Sequence, residues 1–204
     1  MTKPTGEFTL GSDAGIRETP LFDEVVFRGA LIDVSHMQVR LPNGRQALRE
    51  VVRHKGAAAI VPVDQDGTVT LVRQHRVVVD RITLEIPAGK LDHVGEDPLD
   101  CARRELEEET GLHAERFELL CPMLTSPGFC TEQVRIYLAT GLSEHHAHLD
   151  DDEFLNVVRM PLAEAVARVL SGEFCDGKTA LGLSLAWLKL KGTAPVACEN
   201  PSIT

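Results

Sequence analysis

The stretch from Gly95 to Leu112, GEDPLDCARRELEEETGL, constrains this chain more than any other. Asp97 followed by Pro98 is a helix start: the aspartate can cap, and proline suits the first helical position. Gly111 is a natural terminator. At about 100° per residue, Leu99, Ala102 and Leu106 form an apolar stripe on the predicted helix. Glu105, Glu108 and Glu109 share the neighbouring arc, roughly 100° wide, at the edge of the buried face. Glu107 falls near Arg103 and faces water. Like charges at i,i+4, such as Glu105 and Glu109, oppose the helix by about 0.2–0.5 kcal/mol even when exposed. Arg104 can relieve Glu108 but not all three acids. A hard divalent cation can, since Mg²⁺ takes carboxylate oxygens together with substrate phosphates. Two readings stay open on this pattern: a charged helix with incidental acids, and a metal site.

Of the 204 residues, 43% are hydrophobic and 25% charged, with a formal net charge of −10. That balance fits one globular domain and argues against a broad nucleic-acid or anionic-membrane surface. A small anionic ligand remains open, because a bound cation reverses the local field. The longest apolar runs, such as Ala57 to Val63, fall far short of the roughly 18 residues that span a bilayer. The five cysteines are odd in number and form no Cys-x-x-Cys pair. A disulfide framework or zinc site is therefore not expected, and a reducing cytoplasm fits best.

Residues 1–19 read as a flexible arm without a signal core, 20–55 as an N-terminal strand region, 56–191 as the main domain and 192–204 as a tail. Glu24 to Val34 is strand-like, and Leu41-Pro42-Asn43-Gly44 predicts a type I′ hairpin leading into Gln46 to His54. A second hairpin is predicted from Ala57–Val63 and Thr68–Gln74 about Asp64-Gln65-Asp66-Gly67. Ile82–Ile86, Phe117–Leu124 and Val134–Leu138 read as strands, Ser143–Asp152 as an acidic loop, and Pro161–Leu170 and Thr179–Leu190 as helices. Many strands with few helices give an α+β class.

Glu96, a spacer of seven, and then Arg104-Glu105-Leu106-Glu107-Glu108-Glu109-Thr110-Gly111-Leu112 resemble the Nudix hydrolase signature, G-x5-E-x7-R-E-U-x-E-E-x-G-U. Gly89 departs from it, with six residues before Glu96 rather than five. The resemblance implies a Nudix fold: an α/β/α sandwich with a mixed sheet, here with an added N-terminal antiparallel strand region. It also implies hydrolysis of a diphosphate linked to another moiety, with Mg²⁺ or Mn²⁺. Carried over by position, Glu105 and Glu109 are the main metal ligands, Glu108 supports or ligates, and the Ala88 carbonyl completes the set. Glu96 and Arg104 take structural roles, Arg104 holding a carboxylate in place.

Outside that stretch, Leu84-Glu85-Ile86-Pro87-Ala88-Gly89-Lys90, Ser126-Pro127-Gly128 and Asp176-Gly177-Lys178-Thr179 resemble the ADP-ribose pyrophosphatase branch of the family. Pro127 lies sixteen residues beyond Gly111, a spacing that marks this branch. The resemblance implies a homodimer that exchanges its N-terminal strands to build the substrate pocket. It assigns Arg49 and Arg76 to the phosphates or ribose, since an arginine fork grips phosphate in two places. It also places Pro127, Gly128 and Glu132 at the substrate. The general base is expected from the acidic loop, with Asp151, Glu153 and Asp152 as candidates. Rival readings are the same chemistry on GDP-mannose or NADH, and a non-catalytic module that binds ADP-ribose. The complete set of signature acids argues against the last.

Overall fold

The computed structural model describes residues 13–144 and 154–191. The chain divides into two compact units. One comprises the described part of Met1–His54 with Ser126–Thr131, the other that of Lys55–Thr125 with Glu132–Thr204.

The first unit is a three-stranded antiparallel sheet of β1 (Thr19–Arg28), β2 (Asp33–Arg40) and β3 (Gln46–Arg53), in the order β1-β2-β3. The β2–β3 connection departs from the expected type I′ turn. That turn needs positive φ at both central residues. Here the Gly44 N–H donates to the Leu41 carbonyl at 2.9 Å. Gly44 has φ 82°, and among the described residues Asp80 alone of the non-glycines is positive. Asn43 instead uses its side chain to accept the Arg45 N–H at 3.1 Å. Strand β1 is exposed along nearly its whole length, including Phe22 at 60% and Phe27 at 55%.

The second unit holds two sheets. A mixed sheet has the order β7-β4-β9-β8, from β4 (Ala57–Pro62), β7 (Ala88–Lys90), β8 (Leu112–Leu124) and β9 (Gln133–Glu144). Here β4 runs parallel to β9 and antiparallel to β7. The second sheet is antiparallel, β10-β5-β6, from β5 (Thr68–Arg76), β6 (Arg81–Glu85) and β10 (Leu155–Pro161). The expected β4–β5 hairpin is therefore corrected. The turn at Asp64–Gly67 forms, with the Gly67 N–H on the Asp64 carbonyl. Beyond one bridge at Val63 and Val69, however, the strands join different sheets. The turn is a corner between sheets.

Strand periodicity explains the layers. Alternate residues of a strand point to opposite faces. Ala59 and Val61 of β4 and Ile136 and Leu138 of β9 pack with Ala165 of α2 (Leu162–Leu170) and Leu183 and Ala186 of α3 (Gly177–Leu190). Ala58, Ile60, Tyr137 and Ala139 pack instead with Cys101, Ala102 and Leu106 of α1 (Pro98–Thr110). The mixed sheet is thus covered on both faces, and both of its central strands are buried. Truncating a fully buried residue such as Leu106 to alanine would cost about 2–5 kcal/mol.

Candidate active site

Local chemistry sets the span of α1. The Asp97 side chain accepts the Leu99 N–H at 2.9 Å, Pro98 opens the helix, and Gly111 ends it with φ 67° and its N–H on the Glu107 carbonyl. Burying the stripe of Cys101, Ala102 and Leu106 carries the adjoining acids down with it. Glu105 is 6% exposed and Glu109 3%. Glu108 is half-buried, while Glu107 turns away to His113 at 2.8 Å.

Arg104 ties this cluster together. Its Nη1 donates to Glu105 Oε1 at 2.7 Å and to Glu108 Oε2 at 3.1 Å. Its Nη2 reaches the Lys90 carbonyl at 3.4 Å and lies 3.7 Å from Glu96 and 3.6 Å from Asp92. Burial alone would lower the arginine pKa, but the Glu105 carboxylate, with Asp92, more than offsets this and raises it. Glu109 Oε2 accepts the Ala88 N–H at 3.0 Å. Glu105 lies directly on the backbone of Gly89, where an added Cβ would meet its Oε1 at 1.9 Å. Only glycine leaves room for that approach. The Cys101 thiol, on the Gly89 and Lys90 carbonyls at 3.6 and 3.5 Å, is pushed up to about 12 by burial and then by Glu105.

The extra residue between Gly89 and Glu96 is absorbed in a tight turn. The Glu96 N–H reaches the His93 carbonyl at 3.3 Å, and the Glu96 side chain accepts the Asp92 N–H at 2.5 Å. The extra residue therefore leaves Glu96 beside Arg104.

Glu105, Glu108 and Glu109 supply hard oxygen donors only, two of them on buried carboxylates, which is the chemistry of a hard divalent cation. As the side chains stand, no three acids, histidines or cysteines among the described residues are gathered closely enough to hold one ion. In the protein alone, Arg104 draws Glu105 and Glu108 toward itself, and Ala88 takes Glu109. The donor set fits the ion, and the guanidinium occupies part of its charge.

A second group borders a cavity of about 800 Å³ lined by residues including Arg76, Val78, Thr83, Glu85 and Lys178. Arg76 grips buried Glu85 with Nε and Nη2, at 2.9 and 2.7 Å. Lys178 also donates to Glu85, as does the Thr83 hydroxyl at 2.7 Å. Burial would raise the Glu85 pKa, but Arg76 and Lys178 override it and hold the carboxyl down at about 2. Sequence reasoning assigned Glu85 and Lys178 no role. The available signal was a lone acid inside the apolar strand Ile82–Ile86.

In the first unit, Arg49, Pro127 and Gly128 line one cavity of about 290 Å³ with Glu18, Met37 and Phe129. Arg49 Nε donates to Glu18 at 3.1 Å. Glu132 is half-buried just before β9 in the second unit. Asp151, Asp152 and Glu153 lie outside the described residues.

This architecture and this spacing of acids are those of a known class. The family model for the NUDIX domain matches residues 52–177, and the chain belongs to the Nudix family. It is similar to an ADP-ribose pyrophosphatase of Bacillus subtilis (strain 168), 42% identical over 176 residues that cover 85% of this chain and 95% of the relative. A methanol dehydrogenase activator of Bacillus methanolicus is 39% identical, covering 84% of this chain and 94% of the relative. A crystal structure of an ADP compounds hydrolase aligns with a TM-score of 0.73 at 28% identity, covering 87% of this chain and 97% of that one.

Proposed function

We propose that this protein is a Mg²⁺-dependent ADP-ribose pyrophosphatase, releasing AMP and ribose 5-phosphate, with Mn²⁺ as a substitute metal. The observation that carries the reading is the set of Glu105, Glu108 and Glu109 gathered around Arg104 and against the backbone at Ala88–Gly89. The substrate assignment is supported by similarity to the Bacillus subtilis ADP-ribose pyrophosphatase over nearly that protein's whole length.

Glu105, Glu109 and the Ala88 carbonyl would hold the ion, with Glu108 as a further ligand. When bound, the ion supplies polarisation of the diphosphate and activation of the attacking water. Arg104 holds Glu105 and Glu108 together and offsets part of their mutual repulsion. Arg76 and Arg49 bind the substrate's phosphates or ribose, with Pro127, Gly128 and Glu132 as further contacts. Asp151 or Glu153 takes the proton as the water oxygen bonds to phosphorus and the bridging P–O bond breaks.

The protein works as a homodimer with exchanged N-terminal strands. The exposure of Leu21, Phe22, Val26 and Phe27 on edge strand β1 supports this, since an edge strand that leaves large apolar side chains in water invites a partner. Its chemistry and free thiols suit the cytoplasm.

The test is anion-exchange analysis of products from ADP-ribose, GDP-mannose, NADH and a nucleoside triphosphate, each with Mg²⁺ and with EDTA. Metal-dependent AMP release from ADP-ribose, lost in a Glu108→Gln/Glu109→Gln variant, is expected. Faster turnover of GDP-mannose or NADH would move the substrate. Binding of ADP-ribose without turnover of anything would overturn the enzyme reading.

A further inference from the structure

We infer that Glu85 is a positioning residue for substrate binding, holding Arg76 and Lys178 as a fixed pair of cations on the wall of the 800 Å³ cavity for a phosphate-bearing ligand. The inference rests on the pyrophosphatase reading.

The geometry argues for presentation. The Glu85 side chain is 3% exposed, against 43% for Arg76 and 15% for Lys178. The carboxylate lies beneath and the guanidinium lies open above it. All four acceptor positions of Glu85 are filled by two Arg76 protons, the Thr83 hydroxyl and the Lys178 ammonium. Arg76 spends Nε and one Nη2 proton on this grip. Nη1 has no hydrogen-bond partner among the described residues, so half of the fork remains for a ligand. Asp176, which accepts from Lys178 at 3.0 Å, lines the same cavity, as does Arg81, so Arg76, Arg81 and Lys178 outnumber Glu85 and Asp176 by one positive charge at the wall. In a chain of net charge −10, that is where a diphosphate would be drawn.

A purely structural role is already filled by neighbours. The end of β6 is fastened to the start of α3 through the Ile86 N–H on the Thr179 hydroxyl at 3.0 Å, and Thr179 in turn bonds Asp176. Replacing a whole buried ion pair by apolar residues is often neutral, whereas removing one partner costs stability, so the melts are read beside KM. Glu85 is also three residues before Ala88 on the segment that carries the metal-binding backbone. Arg76 lies close enough to Glu109 to feel its charge. The trio and the acids of α1 therefore address neighbouring parts of one ligand.

Glu85→Gln keeps the shape but turns a donor toward Arg76 Nη2 or Lys178, which breaks the grip. The test is a double-mutant cycle on KM and kcat for ADP-ribose with Glu85→Gln, Arg76→Ala and both, beside thermal melts of each. Wild-type turnover across the four substrates is measured first. The expected result is a KM raised by about tenfold in Glu85→Gln, and no further rise when it is added to Arg76→Ala. An effect of Glu85→Gln that persists at full size in the Arg76→Ala background would overturn the inference, leaving only a structural role. So would an unchanged KM. Should Glu85→Gln fail to fold, Arg76→Lys tests the same point. It keeps the charge but cannot engage both oxygens as a fork, so its KM should rise similarly, and an unchanged KM overturns the proposal. Wild-type turnover of another of the four substrates but not ADP-ribose would displace only the substrate reading, and the cycle is then run on that substrate. Inactivity on all four would overturn both.

Discussion

Gly89→Ala adds one methyl group at the point where α1 and β7 touch. That methyl would lie 1.9 Å from Glu105 Oε1, 2.0 Å from Cδ and 2.4 Å from Oε2. To reach the 3.4 Å of an ordinary contact, the carboxylate must retreat by about 1.5 Å. It cannot do so while keeping its 2.7 Å bond to Arg104. The fold should survive, because the clash falls on a side-chain end and not on backbone. Overpacking costs about 1–3 kcal/mol, and the stiffer unfolded chain returns about 0.4–1 kcal/mol. The melting temperature should therefore drop by less than about 10 °C. Activity should suffer far more, since misplacing a reacting group by about 1 Å can cost about 100-fold. The assay is kcat/KM for ADP-ribose across a Mg²⁺ titration, with a thermal melt of the metal-free protein. Activity within about threefold of wild type would refute the reasoning, because Glu105 would then not need the place that Gly89 gives it.

Asp97→Ala removes the cap of α1 and should cost about 1 kcal/mol, read as a melting temperature lower by about 2–4 °C. Glu85 has its folded pKa held at about 2 against an ordinary 4.5. Its stabilising contribution is complete above pH 4.5 and is lost as pH falls through 2. Urea midpoints should therefore fall more steeply across that window in wild type than in Glu85→Gln. With its thiol pushed up to about 12, Cys101 should resist alkylation at pH 8 while exposed Cys175 reacts, as peptide mass mapping would show. Alkylation of Cys101 before unfolding would contradict its burial.

Helix α1 was legible because every determinant is local: a cap, a proline, a terminating glycine and a stripe that sorts the acids by angle. Its observed span, Pro98–Thr110, follows from those residues alone. Strand partners were not legible. Ala57–Val63 and Thr68–Gln74 each read as strands, and the turn between them is real. Yet β4 pairs with β9 far along the chain, and alternation says nothing about which strand lies alongside. Three-residue β7 is too short to carry a period, and β10 follows the acidic loop without a turn signal of its own. Glu85 shows the same limit at the site. Its partners lie 9 and 93 residues away, and only folding brings them together.

The parallel pairing of β4 with β9 also bears on how the molecule forms. Ala57 sits opposite Val134, and Ile86 is secured by Thr179 a further stretch along. Contacts at such separations form only after large loops close, which slows folding. On the ribosome, the glutamates of α1 emerge well before β9, the strand that completes the sheet beneath them. A nascent chain halted before β9 would carry the whole signature and no working site. Activity should thus arise late, once β9 joins β4 under α1 and α3 closes the other face of the sheet.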